Sequence, residues 1–173
     1  ILALVESGCR HIQVDEPVFA RKSQMALDYG IENIERCFDG VPDHVTRAVH
    51  ICCGYPNALD SENYLKAPSS AYFELAEAMD ESSVNAVSIE DAHRPNDLKL
   101  LELFKKTSVI IGLIDVAKSR LEESSEIKLR INNGLEHIDH NRLIAAPDCG
   151  LGLLIRKRAN AKLKNLCNAA HSV

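Results

Sequence analysis

The chain has 173 residues, 46% of them hydrophobic and 26% charged, with a formal net charge of −5. That is an ordinary globular balance, long enough for one domain with a substantial core. No basic run marks a nucleic-acid partner, and no apolar stretch approaches the roughly 18 residues needed to cross a bilayer. The six cysteines are too sparse for a disulfide scaffold and suit a reducing, cytoplasmic setting.

In chain order, "ILALVESGCRH" reads as the last turns of a helix, with no basic leader and no cleavage site. The expectation is a chain that begins partway through a larger domain. A first β-branched run, "HIQVDEP", follows, then "AVHICCG". "SAYFELAEAM" has helical periodicity with Ser69 or Ser70 as cap, and "NAVSIED" is the third run. "NDLKLLELFKK" is a predicted helix capped by Asn96, leading into "SVIIGLIDV". "SSEIKLRINNGLEHI" is a serine-capped helix with Ile127, Ile131, Leu135 and Ile138 on one stripe. "RLIAAPDCG" is the fifth run, and "ANAKLKNLCNAA" closes the chain as a helix.

The runs are continuous rather than alternating, as in parallel strands buried on both faces. Their anchors, Ile12, Val49, Val87, Val109 and Ile144, lie 37, 38, 22 and 35 residues apart, which are βα-unit lengths. No linker or second domain interrupts residues 1–173. Polar residues gather at the carboxyl ends of the runs: Asp15 and Glu16, His50 and Cys52, Glu90 and Asp91, Asp115, Asp148 and Cys149. In a barrel those ends meet at one mouth, whereas an open doubly wound sheet uses mainly its switch point. No GxGxxG follows the first run. The expected fold is therefore α/β, a partial TIM (β/α)₈ barrel of about five C-terminal βα units. Its first and last strands would be open edges, with residues such as Val14, Ile51, Val87, Ile89 and Ile111 on a wetted inner face.

The "AVHICCG" run carries a histidine and two cysteines where a strand needs only apolar residues. Residues two apart in a strand point the same way, so His50 and Cys52 share one side while Ile51 and Cys53 take the other. An imidazole beside a thiolate is half of a zinc site. Glu90 and Cys149, ending two other strands, are the remaining candidate ligands.

"IQVDEP", "HICCGYP", "SIE" and "PDCGLG", in this order and at these distances, resemble the C-terminal barrel of cobalamin-independent methionine synthases, from Gly8 onward. The resemblance implies a zinc-dependent methyltransferase that forms methionine on the thiol of homocysteine. It implies His50, Cys52, Glu90 and Cys149 as zinc ligands, with Asp15 holding the amino group of homocysteine and Glu90 also facing the substrate. The implied partners are homocysteine and a methyl donor, of folate type or other. A second chain completing or covering the open barrel is a further partner to expect.

The sequence departs from the family at one point. The folate-using members carry a proton-donating histidine two residues after an aspartate on the penultimate strand. Here "LIDVAKS" places Ala117 there, which puts folate in doubt as donor and leaves the catalytic acid unassigned. A non-catalytic zinc-binding fragment, or methyl or alkyl transfer between another donor and thiol, is the alternative. A metal-free decarboxylase using Asp and Glu would leave Cys52 and Cys149 unexplained. His93 and Arg94 read as a solvated loop. Cys9, Cys37 and Cys167 read as small buried hydrophobes, Cys53 as packing, and "RKRANAKLK" as the solvated face of the last helix.

Overall fold

The computed structural model describes residues 1–61 and 64–173. Among these, five strands form one parallel sheet in the order β1-β2-β3-β4-β5. They are β1 (His11–Glu16), β2 (Thr46–Ile51), β3 (Ala86–Ile89), β4 (Ser108–Gly112) and β5 (Leu143–Ala146). Each neighbouring pair is also consecutive in sequence, so every connection is a crossover over the same face. That is how a barrel wall is built, one βα unit after another.

The helices between them are α1 (Leu2–Glu6), α2 (Ser23–Met25), α3 (Ile31–Cys37), α4 (Ala71–Glu81), α5 (Ser124–Leu135) and α6 (Arg156–Ala170). A wide turn over Ala26–Gly30 joins α2 to α3 into one bent rod. This rod, between β1 and β2, was not among the sequence-predicted helices, because its apolar positions are interrupted by Asp28, Glu32 and Glu35.

Several caps differ from expectation. Residues Leu98–Leu103 form a tight three-residue-per-turn helix capped by the Asp97 side chain, not by Asn96. Asn96 instead donates its amide to the Glu90 carbonyl, 2.7 Å away. Helix α5 starts on a capping box between Glu123 and Glu126 rather than on a serine. Ser70 does precede α4, but its hydroxyl bonds Glu74 at 2.9 Å instead of the backbone.

The sheet has two chemically distinct faces. Val49, Ile51, Val87, Ile89 and Val109 pack against Tyr72, Leu75, Ala76 and Met79 of α4 and against Leu100, Leu101 and Phe104. Ile111 joins a second cluster with Ile127 and Ile131 of α5 and Leu166 of α6. Ile51, Val87, Ile89 and Ile111 are thus buried under helices, which corrects the expectation that they would line a wetted interior. The opposite, inner face carries the alternate residues. Across the strands, Asp15, His50, Ser88, Ile110 and Ile144 lie in one register row. That row is largely polar, so an open interior exposes less apolar surface than a run of valines and isoleucines suggests. Strands β1 and β5 are the edges, and Gln13, Asp15 and Ile144 on them are exposed.

Candidate metal centre

The strand-end residues singled out by sequence come from β1, β2 and the turns after β3 and β5, and period two sends the β2 pair into the interior. His50 faces inward from β2, and Cys52 follows two residues later on the same side, while Cys53 packs into the apolar core. One ligand atom each of His50, Cys52 and Cys149 lies within 4.8 Å of the others. Glu90 stands beside this trio: the Cys52 thiol donates to its Oε1 at 3.4 Å, as does the Cys53 N–H at 3.3 Å. Its Oε2 is ion-paired with Lys66.

The donor set fits a cation. His50 Nδ1 lies 2.9 Å from the Ser88 hydroxyl, which can fix the tautomer that leaves Nε2 unprotonated. Buried Nε2 has no hydrogen-bond partner among the described residues. A buried nitrogen lone pair left unpaired is costly unless something binds it. The two thiols interact as well: a hydrogen bond to Cys149, and then burial, holds Cys52 well above the usual thiol range, while the same bond pushes Cys149 down. Two sulfurs and an imidazole suit zinc, and a carboxylate could complete the set; Glu90 is bonded to Cys52 but lies outside the group whose ligand atoms converge within 4.8 Å.

A cavity of about 300 Å³ opens in front of the trio, lined by Gln13, Asp15, His50, Ser88, Pro147 and Cys149 among others. Asp15 stands on its rim with Oδ1 accepting from the Gln13 amide at 2.7 Å. Asp15 lines this cavity but is not one of the trio whose ligand atoms converge.

Around this centre the backbone is held by buried polar side chains. Tyr72, from α4, donates its hydroxyl to the Ile51 carbonyl at 2.9 Å and accepts the Glu90 N–H at 3.0 Å, which ties the ends of β2 and β3. Asp148 accepts the N–H groups of Asp91, Ala92 and His93 at 2.8–2.9 Å, which ties the Glu90 turn to the Cys149 turn. Burial pushes the Asp148 carboxyl up to about 7 against the pull of those three donors. Gly112 makes room for it, since a Cβ there would lie 2.2 Å from Asp148 Oδ1.

Other assignments change. His93 is half-buried, not a solvated loop residue, and its Nδ1 lies 3.5 Å from Asp115 Oδ2. Burial, with help from Lys66, holds its imidazole below the ordinary value against the opposing Asp115 carboxylate. Arg94 is likewise partly buried, in a small pocket with Lys66, Tyr72 and Glu90. Ala117 is fully buried and carries no proton donor into the mouth. Cys37 and Cys167 are exposed and Cys9 is half-buried, so none is a core hydrophobe. Within the basic stretch of α6, Lys162 is fully buried, bonding the Asp115 carbonyl at 2.8 Å and Glu122 at 2.9 Å.

Lys66, Ser88 and Tyr72 beside the centre, and the burial of Lys162 elsewhere, were not singled out from the sequence. Only Ser88 left a signal: on the strand next to the metal run, it is a hydroxyl within an otherwise apolar "AVSI".

The family model for the catalytic domain of cobalamin-independent synthases matches residues 1–172. A methionine synthase from Thermococcus kodakarensis is 30% identical over 171 residues, covering 98% of this chain and 45% of that protein. One from Saccharolobus islandicus is 30% identical over 167 residues, covering 94% and 44%. Among solved structures, a B12-independent methionine synthase from Shewanella sp. W3-18-1, in complex with selenomethionine, superimposes with a TM-score of 0.85 at 28% identity. It covers 98% of this chain and 50% of that one. The chain thus spans about half the length of the relatives it matches. A Listeria monocytogenes structure at 18% identity and a TM-score of 0.69 shares the fold. With the family model matched over nearly every residue, this chain belongs to the cobalamin-independent methionine synthase family, within its catalytic domain.

Proposed function

We propose that the chain is the metal- and thiol-binding portion of a methyltransferase that forms methionine on homocysteine, within a single (β/α)₈ domain of which residues 1–173 are a part. The observation that carries this reading is the convergence of His50, Cys52 and Cys149 within 4.8 Å, with Glu90 against Cys52 and an orphaned imidazole nitrogen among them. His50, Cys52, Glu90 and Cys149 would hold zinc. Bound there, zinc would supply the charge that keeps a substrate sulfur as the thiolate, the form that attacks, at a pH where a free thiol near 8.5 is mostly protonated.

The chain's own residues do the rest. Ser88 orients the His50 ring. Tyr72 and Asp148 set the Glu90 turn against the Cys52 and Cys149 ends. Asp15, across the cavity, would take the ammonium group of an amino-acid thiol by a charge-assisted hydrogen bond. A relative whose structure is in complex with selenomethionine, an analogue of methionine, supports an amino-acid ligand of that class. The methyl donor is left open, because Ala117 offers no acid for a poor nitrogen leaving group.

The test is metal analysis of the purified chain beside Cys52→Ala and Cys149→Ala, with circular dichroism to show that each folds. One zinc per parent chain and none in either variant is expected. Full zinc occupancy in either variant would remove the basis for the site.

A further inference from the structure

The connection from β3 to β4 is the shortest in the sheet, with 22 residues between the anchors Val87 and Val109, and it carries the short tight helix Leu98–Leu103. A cavity of about 310 Å³ opens between the turn after β3 and helix α5. That is the small end of the roughly 300–1,000 Å³ of ligand sites, enough for an amino acid and too little for a nucleotide. Leu113 and Ile127, both buried, and Pro95 give it an apolar wall. Its polar lining is made of opposite charges. Asp91 is held by Arg130 through two bonds, at 2.6 and 2.8 Å, and accepts the Asn96 N–H as well. Arg130 uses Nε and Nη2 for these contacts and for the Asn96 carbonyl, which leaves Nη1 for a further acceptor. Glu122 is its counterpart. Oε1 takes the Lys162 ammonium group and the Asp115 N–H, and buried Oε2 has no partner among the described residues. A buried carboxylate oxygen left unpaired is costly unless a donor reaches it. Arg120 and Glu126 close the rim as an exposed pair.

We infer that this cavity is a second binding site, for a small apolar α-amino acid in its zwitterionic form. The inference does not rest on the metal centre. No residue lining this cavity is a candidate ligand, and none lines the cavity in front of His50. Charge decides the class of ligand. Asp91, Glu122 and Glu126 line the space with Arg120 and Arg130, and Lys162 stands behind Glu122. Three carboxylates against three cations leave no net charge to draw in a simple anion or cation, whereas separated unlike charges suit a dipole. The ligand's ammonium group would donate to Glu122 Oε2, and its carboxylate would accept from Arg130 Nη1. Its hydrocarbon side chain would lie on Leu113 and Ile127. The lining comes from the connections after β3 and after β4, whereas the open edges of the sheet are β1 and β5.

Isothermal titration calorimetry of the chain with L-leucine tests this. One leucine per chain is expected. Isocaproate, which lacks the ammonium group, and isoamylamine, which lacks the carboxylate, should each bind at least about tenfold more weakly, the factor that losing one charge-assisted hydrogen bond gives. Glu122→Gln puts a donor where the ligand's ammonium group has to donate, and should weaken leucine by about tenfold or more. If that variant fails to fold, Ala92→Phe, which fills the cavity from its wall, should abolish binding while circular dichroism shows the fold intact. Cys149→Ala, and the parent loaded with cobalt(II) as a coloured stand-in for zinc, should both bind leucine as the unloaded parent does. No binding at millimolar leucine would overturn the inference. So would equal binding of leucine and its two truncated analogues, or a folded Ala92→Phe that binds as the parent does. Loss of binding in Cys149→Ala or on cobalt loading would place leucine in the metal centre and overturn it as well.

Discussion

Lys162 is the residue whose loss the structure expects to hurt most. Its ammonium group is wholly buried, 2.8 Å from the Asp115 carbonyl and 2.9 Å from Glu122 Oε1. The same Glu122 oxygen accepts the Asp115 N–H at 3.1 Å, and the other has no partner among the described residues. Lys162→Met therefore strands a buried carboxylate. Breaking a buried pair from one side costs about 3–5 kcal/mol, mostly the penalty of the charge left behind. With a urea slope of about 2 kcal/mol per M, the midpoint should fall by roughly 1.5–2.5 M. Lys162→Met combined with Glu122→Gln removes both charges and keeps an acceptor for the Asp115 N–H, so it should recover more than half of the loss. Urea denaturation followed by circular dichroism measures both. If the single variant moves the midpoint by less than about 0.5 M, or the double variant is the less stable of the two, the buried-charge argument is wrong.

Four further outcomes follow from other contacts. Tyr72→Phe leaves the Ile51 carbonyl and the Glu90 N–H unpaired and should cost about 1–3 kcal/mol in the same assay. Gly112→Ala drives a Cβ to 2.2 Å from Asp148 Oδ1. It should destabilise by about 1–3 kcal/mol and, by shifting the Glu90 turn, lower cobalt affinity about tenfold. At Asp80, burial alone would raise the carboxyl, but the N–H groups of Thr107, Lys105 and Lys106 outweigh it and hold it below its ordinary value. A depressed carboxylate contributes stability above its unfolded value that is lost as pH falls through the lower, folded one. Asp80→Asn should therefore flatten the acid side of the stability curve below about pH 4, seen in thermal melts at stepped pH. The edges β1 and β5 present unpaired N–H and C=O groups. The 173-residue chain should thus associate with rising concentration in size-exclusion chromatography, and added upstream βα units should restore a monomer. A monodisperse monomer without them would refute the open-edge argument.

Five β-branched runs at βα-unit spacing marked the parallel sheet from sequence alone, and the polar residues at their carboxyl ends, rather than the spacing, pointed to the sequential strand order of a barrel wall. The same periodicity determined that His50 and Cys52 share a side and that the polar strand ends meet at one mouth. Which side was inner could not be read from it: a period of two pairs residues without saying which set faces the helices. Packing decided that, placing Ile51 and Val87 under α4 and giving His50 and Ser88 to the interior. Lys66 and Glu90 are 24 residues apart, Lys162 and Glu122 40, and His50 and Ser88 38. A basic residue in a loop or on an amphipathic helix looks solvated in sequence, since its local surroundings are polar. Only the folded chain brings up the distant carboxylate that makes burying it tolerable, and so only the tertiary structure decided which lysines are buried.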